Sequence, residues 1–214
     1  IRDASWSRGL EMCIRDRMHD IKKIVDSTQK CQRNWDLSKD IPQQDIDTLI
    51  YTATHMPSKN NRTLFNLFYT TDRDLIDSIY KISYSADDVE HDEGSNSQMN
   101  ANLLFMWFQN GADYGLHWRE QERDQCTDVG ISAGAVALTA NQMGYKTGFC
   151  QCQSPDKLNK IVNVVNKEKI GAILGIGYPM KDVPHNHSYY NGQFQSVRQS
   201  WSTTHPKQVK VRRL

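Results

Sequence analysis

Two pairs of metal-ligating side chains are closely spaced in the sequence: Cys150 with Cys152, and His185 with His187. A structural zinc ion takes about four such ligands, usually supplied as two pairs of short spacing. The chain has no second cysteine pair of that kind, and the histidines lie in a polar stretch without a cluster of further ligands. We therefore interpret the thiols as packing groups and predict that the protein has no metal site.

A second candidate for chemistry is the segment of residues 127–144, which is rich in small side chains. We predict a helix that begins at Thr127 or Asp128 and ends at Gly144, because glycine is common just after a helix C-terminus. Small side chains on a helix allow a neighbouring backbone or a flat ligand to approach closely. Neither a GxGxxG motif nor a P-loop occurs in the sequence. The small residues of the segment are Gly130, Ser132, Ala133, Gly134, Ala135 and Ala137.

Four further helices are predicted from apolar residues that recur at helical spacing. The first begins near Met18, and the second begins around Pro42 and ends before Pro57, because the residue preceding a proline disfavours helix. The third is capped by Asp72, and the last begins at Ser154 with Pro155 in its first turn. Their apolar residues are Ile21, Ile24 and Val25; Ile46, Leu49, Ile50 and Ala53; Leu75, Ile76, Ile79 and Ile82; and Leu158, Ile161, Val162 and Val165.

Short apolar segments predict the strands of a central sheet. They cover residues 64–70, 103–108, 145–150 and 172–178, and the segment 103–108 is apolar throughout, which is typical of a strand buried on both faces. An acidic stretch over residues 85–96 is predicted to be an exposed loop. Helices that precede strands and then alternate with them indicate an α+β fold around one sheet.

Composition excludes several classes of protein. The chain has 214 residues, of which 38% are hydrophobic and 24% charged, and its formal net charge is +1. We expect no nucleic-acid partner from that charge, and no membrane span because no apolar run approaches about 20 residues. Five scattered cysteines favour a reducing cytoplasm over a disulfide framework. We interpret residues 1–17 as a non-native or disordered leader and residues 18–214 as a single domain.

Five segments, taken in order along the chain, resemble the nitroreductase family over roughly residues 18–214. The most specific is the small-residue helix with its terminal glycine and the strand at 145–150, followed later by the segment AILGIGYP. In that family, backbone N–H groups just after the strand donate to N5 and O4 of a flavin. The resemblance places these donors at Gln151 and Cys152.

The segment QKCQRN is similar to the family motif that binds the phosphate and ribityl chain of FMN. The aligned positions are Gln29, Cys31 and Arg33, and only Arg33 keeps the expected residue type. Lys30 stands beside Gln29, and we expect its ammonium group to replace the charge that is missing there. The resemblance thus assigns these four residues to the cofactor.

Three shorter segments complete the resemblance. The turn Pro57-Ser58-Lys59-Asn60-Asn61 is similar to a Pro-Ser-x-x-Asn turn along the flavin edge, although the residues that follow it depart from the family pattern. A polar segment before the apolar strand and a closing Lys-x-Arg, whose ammonium and guanidinium groups suit a phosphate, are also similar. The implied cofactor-binding residues are Pro57, Ser58, Lys59, Asn61, Asn96, Gln98, Lys210 and Arg212.

The resemblance implies a nitroreductase-like fold with a central mixed or antiparallel sheet flanked by helices, assembled as an intertwined homodimer. It also implies FMN as cofactor, with NADH or NADPH as co-substrate. In the implied ping-pong cycle, NAD(P)H reduces the flavin and leaves before a nitroaromatic or quinone takes its place. The chemistry belongs to FMN, so no catalytic side chain is nominated.

Two alternatives remain open at this point. The same fold could carry another flavin reaction, such as dehalogenation or flavin fragmentation. The chain could also be a non-catalytic FMN-binding protein, because Gln29, Cys31 and the residues from Arg62 to Leu64 depart from the family motifs.

Overall fold

A four-stranded antiparallel sheet lies at the centre of the computed structural model, which describes residues 21–83, 96–109, 118–151, 153–164, 169–184, 187–190 and 193–196. The strand order is β1-β2-β4-β3, and each pair of neighbours is antiparallel. The predicted α+β class is confirmed, and the sheet is antiparallel rather than mixed. The strands are β1 (Phe65–Thr70), β2 (Leu103–Gln109), β3 (Lys146–Cys150) and β4 (Lys169–Gly177).

Strand β2 is buried on both faces, as its uninterrupted apolar sequence predicts. Successive side chains point to opposite faces, so Phe105 and Trp107 belong to one core cluster and Met106 and Phe108 to the other. All four are at most 1% exposed. Burial of each such side chain stabilises the fold by about 1.5–3 kcal/mol, so β2 contributes to the cores on both faces of the sheet.

Helices cover both faces of the sheet. Helices α2 and α4 contribute to the cluster that contains Trp107, and α3 and α5 contribute to the cluster that contains Phe108. Helix α1 lies at the start of the described chain. The helices are α1 (residues 21–28), α2 (Gln43–Thr54), α3 (Arg73–Lys81), α4 (Trp118–Gln142) and α5 (Pro155–Ile161).

Most predicted helix ends agree with the structure. Pro42 is the N-cap residue of α2, and Ser154 is that of α5. Asp72 caps α3 by accepting hydrogen bonds from the N–H groups of Asp74 and Leu75. Gly144 follows α4 with a φ of +95°, a left-handed conformation that favours glycine.

The predicted start of α4 was wrong, because the helix begins at Trp118 rather than at Thr127 or Asp128. Its first turns, residues 118–125, are mostly arginine, glutamate and glutamine, which form helix readily but give no apolar pattern that would predict it. Asp128 is therefore an interior residue of the helix and not its cap.

Smaller differences concern the last elements. Helix α5 ends at Ile161, and β4 begins at Lys169, earlier than predicted. A hairpin of β5 (His187–Tyr190) and β6 (Gln193–Ser196) was not predicted. The acidic loop prediction concerns residues that are outside the described part of the chain, apart from Asn96. Within the described residues, no helix combines the length and the apolarity that crossing a bilayer requires.

Candidate functional site

A groove lies along one side of α4, beside strand β3. Two cavities of about 430 and about 360 Å³ form it, and both are lined by Gly134 and Phe149. Volumes of this size are typical of small-molecule sites. The larger cavity is also lined by Cys126, Val129, Gly130, Ala133, Gln151, Gly171 and Ala172, and the smaller one by Thr28, Gln29, Cys31, Ala137 and Thr147.

The floor of the groove is the small-residue face of α4. A Cβ atom built at Gly130 or Gly134 would meet no heavy atom within 4 Å, so both glycines border open space. Ala133 and Ala137 lie on the same side of the helix and add only methyl groups. A floor without protruding side chains accepts a planar ring, and the flavin ring implied by the sequence fits it.

The segment that contains Cys31 is fixed to strand β3 at one end of the groove. The N–H of Gln32 donates to the Thr147 carbonyl at 2.9 Å. A Cβ at Gly148 would lie 2.5 Å from the Gln32 carbonyl oxygen, so only glycine permits this approach. Gln29 and Cys31 consequently both line the groove, and their contact with FMN stays a prediction.

Gln98 contacts the residues at this end of the groove without lining the groove itself. The side chain is 5% exposed, and its Nε2 donates to the Phe149 carbonyl at 2.8 Å and lies 2.6 Å from Cys31 Sγ. Asn96 caps the short 3-10 helix Ser97–Met99 by accepting from the Gln98 N–H at 3.3 Å. Neither Asn96 nor Gln98 lines the two cavities, so the structure gives both a supporting position.

Gln151 lines the other end of the groove, directly after β3. Its side-chain Nε2 donates to the Gly171 carbonyl at 2.5 Å, which ties the end of β3 to strand β4. The predicted backbone donors to a flavin at Gln151 and Cys152 stay a prediction. Cys152, Lys210 and Arg212 lie outside the described residues.

The turn at residues 57–61 does not line this groove. It contacts the opposite side of α4, where the Asp128 carboxylate accepts hydrogen bonds from the N–H groups of Lys59 at 3.1 Å and Leu64 at 3.2 Å. The Nζ of Lys59 lies 3.8 Å from Asp124. Asp124 and Asp128 are about one helical turn apart and lie on the same side of α4. Gly130 and Gly134 lie on the other side, where they line the groove.

Three residues of the turn region have left-handed backbones: Asn60 (φ 53°), Asn61 (φ 55°) and Thr63 (φ 50°). Asparagine tolerates this region, but threonine does not adopt it readily. Ser58 holds Thr63 in place by accepting a hydrogen bond from its N–H at 3.0 Å. Strained segments of this kind persist where surrounding contacts determine them, and they are common at ligand sites.

A third cavity, of about 320 Å³, lies beside the groove and carries positive charge. It is lined by Lys23, Asp26, Ser27, Lys30, Gln32 and Lys146. Lys30 and Gln32 thus lie on one side of their segment, and Gln29 and Cys31 on the other. The charge of Lys30, expected to act beside Gln29, is therefore in a neighbouring cavity, and Arg33 lines none of the three.

Sequence reasoning missed two functional candidates. Lys146 begins β3, and burial lowers its pKa below the ordinary lysine value, with a further decrease caused by the charge of Lys30. Asp128 is 2% exposed, and a buried acid within a helix of small and apolar residues was the available signal. Among the described residues, no cluster of three or more potential ligands could hold a metal ion.

The family model for the nitroreductase family matches residues 28–178 of the chain. A search of curated proteins finds no match. The fold is similar to solved structures at low sequence identity, which establishes the fold alone.

Three of these structures illustrate the similarity. A nitroreductase family protein from Clostridium novyi NT has a TM-score of 0.64 at 16% identity, over 75% of this chain and 86% of that one. An FMN-dependent nitroreductase from Clostridium difficile R20291 has a TM-score of 0.59 at 15% identity, over 78% and 92%. A Staphylococcus epidermidis protein assigned as an NAD(P)H:FMN oxidoreductase has a TM-score of 0.63 at 15% identity, over 83% and 91%.

The matched segment begins beside Gln29 and Cys31 at one end of the groove and extends to the end of the sheet. It contains the small-residue floor, strand β3 and the supporting Gln98. The predicted family is confirmed: the chain belongs to the nitroreductase family of flavin oxidoreductases.

Proposed function

We propose that this protein is an FMN-dependent oxidoreductase that transfers electrons from NADH or NADPH to a small organic acceptor, such as a nitroaromatic or a quinone, in a ping-pong cycle. The observation that carries the proposal is the groove, whose floor of glycine and alanine is open for a planar ring in a chain of this family. The C. difficile structure is of an FMN-dependent nitroreductase, and the S. epidermidis protein is assigned to NAD(P)H and FMN.

In this proposal the residues of the groove bind and orient the cofactor. The flat face formed by Gly130 and Gly134 receives the ring, and Phe149 supplies an apolar wall. Gln29 and Cys31 offer polar contacts at the end fixed by Gln98. When bound, FMN supplies hydride acceptance and donation, and the protein supplies position and a shaped pocket.

The open side of the groove supports successive use by two substrates. Phe149 is 42% exposed, although it is a large apolar residue at the rim. A site that stays accessible can admit a nicotinamide, release it, and then admit a planar acceptor at the same place. Binding at one place in turn is what a ping-pong cycle requires.

The rim also supports a homodimer. Ile131 and Leu138 are each 41% exposed, and their spacing of seven residues places them on the same side of α4 beside the groove. Exposed apolar residues at a rim are typical of protein interfaces. In the proposed dimer, a second copy packs on Ile131 and Leu138 next to the open side of the groove and brings its own turn at residues 57–61 to the flavin. This arrangement would account for a turn that lies away from the groove of its own chain.

The test is anaerobic reduction of the FMN-loaded protein by NADH and by NADPH, followed by addition of a quinone or a nitroaromatic. We expect the flavin absorbance to bleach with about one equivalent of reduced nicotinamide and to return with the acceptor. Steady-state rates should give parallel double-reciprocal lines. Bound flavin that does not bleach would favour the non-catalytic alternative, and a new flavin fragment or released halide would favour the other reactions. Failure to bind FMN would contradict the proposal.

A further inference from the structure

Strand β3 and the residue after it direct alternate side chains into the groove. Thr147 and Phe149 line the smaller cavity, and Phe149 and Gln151 line the larger one. Cys150, between them, is 4% exposed and belongs to the core cluster that contains Phe108 on the other face of the sheet. The side chain of Gln151 therefore lies in the larger cavity, two positions after the exposed ring of Phe149.

The amide group of Gln151 is held in position by a β-bulge. The register between β2 and β4 shifts between Trp107 and Phe108 and passes over Gly171, which is the extra residue of the bulge. The Gly171 carbonyl accepts a hydrogen bond from Gln151 Nε2 at 2.5 Å. A Cβ atom at Gly171 would lie 3.2 Å from both methyl groups of Val129, so β4 and α4 are in close contact here. The carbonyl that anchors the amide is thus fixed itself, and bulges are frequent beside active sites.

Gln151 supplies the strongest side-chain hydrogen-bond donor of the larger cavity. Within the part of the chain that the structure describes, the lining side chains with a hydrogen-bonding group are those of Gln151 and Cys126, and no lining residue is charged. A thiol is a weak donor, whereas a carboxamide has two N–H bonds. One of them binds Gly171, and the other has no partner among the described residues. Because Gln151 is exposed, this second N–H is available to a ligand in the cavity.

We propose that the side chain of Gln151 selects the electron acceptor by donating a hydrogen bond to an oxygen on its ring. This inference rests on the proposed function, and it names the acceptors as planar carbonyl or nitro compounds that lie beside Phe149 with one oxygen toward the amide. The main-chain N–H of Gln151, which the resemblance assigns to the flavin, has no part in this role.

The hydrogen bond becomes stronger as the acceptor is reduced. For a quinone, each turnover transfers two electrons and one proton from NAD(P)H, together with one proton from solvent, and yields the hydroquinone. Negative charge develops on the quinone oxygens as the electrons arrive. A fixed donor at that place stabilises the developing charge more than it stabilises the uncharged quinone.

The experiment measures reoxidation of the full-length, FMN-loaded protein by anaerobic stopped-flow after photochemical reduction of the flavin. The oxidants are menadione, an uncharged quinone, and ferricyanide, which contains no oxygen atom to accept the hydrogen bond. The variants are Gln151→Met and Gln151→Glu, which lack a side-chain N–H. The control is Gln44→Met, because Gln44 is exposed on α2 and lines none of the three cavities. We expect both Gln151 variants to lower the rate constant with menadione by about tenfold to a hundredfold and to keep that with ferricyanide.

Two results would overturn the inference. Equal losses with menadione and ferricyanide would show a general disturbance of the groove, and unchanged rates with both would show that the amide is not used. A wild-type protein that neither NADH nor NADPH reduces would contradict the proposed function, whereas the menadione rates of the photoreduced protein would still decide this inference.

Binding of menadione to the oxidised protein, measured by calorimetry, decides the inference even for a chain that holds no FMN. Weaker binding by Gln151→Met than by Gln44→Met would support the role of the amide. Equal affinities of these two variants and the wild type would contradict it.

Discussion

At the residue scale, the groove depends on two glycines of α4, which have no side chain to fill it. Gly130 and Gly134 leave the backbone of α4 open, and this open face was predictable because small residues are visible in a sequence. Lys146 and Asp128 were not predictable in the same way. Lys146 meets Ser27, which is 119 positions away, and Asp128 meets Lys59 across 69 positions, so only the folded chain shows what either side chain does.

A single ion pair gives a pH-dependent prediction. Asp36 pairs with Lys39 at 2.8 Å, and hydrogen bonds from Lys39 and Ser38 lower its pKa from 3.8 to about 2. A lowered acid pKa stabilises the fold above pH 3.8, and that stabilisation is lost as the pH falls toward 2.

Asp36→Asn should therefore lower the free energy of unfolding at neutral pH and have a smaller effect near pH 2. The loss should be modest, because the Lys39 side chain is exposed and that of Asp36 is partly exposed. Urea unfolding at the two pH values measures it. The same difference at both pH values would show that the pair is not responsible.

At the element scale, α4 separates two tasks. One side is the floor of the groove, and the other fixes the turn at residues 57–61 through Asp128. The apolar pattern of the sequence predicted α2, α4 and β2. It did not predict the start of α4, because a helical segment of polar residues has no apolar residues that recur at helical spacing. The resemblance to the family assigned the turn at residues 57–61 to the cofactor, but it could not show on which side of α4 the turn lies.

Asp128→Ala should lower the free energy of unfolding by about 3–6 kcal/mol, since hydrogen bonds to a charged acceptor contribute about 1.5–3 kcal/mol each. Two bonds are lost, and the N–H of Leu64 is left buried without its acceptor. Denaturant unfolding gives the value. Asp156→Ala, at an exposed position in the first turn of α5, is the control and should change stability far less. Equal effects of the two substitutions would contradict the assigned role.

The cap of α3 offers an independent prediction. Asp72→Ala removes the acceptor for the N–H groups of Asp74 and Leu75 and should cost about 1 kcal/mol. Asp72→Ser, which keeps a capping oxygen, should recover most of that loss. A cost for the serine variant equal to that for alanine would indicate that the carboxylate charge, and not the cap, stabilises the helix.

At the scale of the whole molecule, the sheet has helices on both faces, and exposed apolar residues of α4 lie beside the groove. Strand β2 is buried on both faces because helices pack on each side of the sheet, and this burial was predictable from its apolar sequence. The proposed association of two copies could not be derived from periodicity, because apolar residues at the proposed interface, such as Ile131 and Leu138, recur along the helix in the same way as core residues.

Replacing both Ile131 and Leu138 by glutamate should yield a monomer that binds FMN more weakly, because the charges would be buried in the proposed dimer interface. Light scattering after size-exclusion chromatography measures the mass. Leu37→Glu, at another exposed apolar residue, is the control and should leave the mass unchanged. A wild-type monomer that binds one FMN per chain would contradict the dimer proposal.

The affinity for FMN of Gly134 variants tests the central claim most directly, since that residue lines both cavities of the groove. Gly134→Ala should stabilise the helix by about 0.5–1 kcal/mol and keep FMN binding. Gly134→Leu should remain folded and lose affinity by about tenfold to a hundredfold, because its side chain occupies the place of the ring. A folded leucine variant that binds FMN as tightly as the wild type would show that the flavin does not lie on this face of α4.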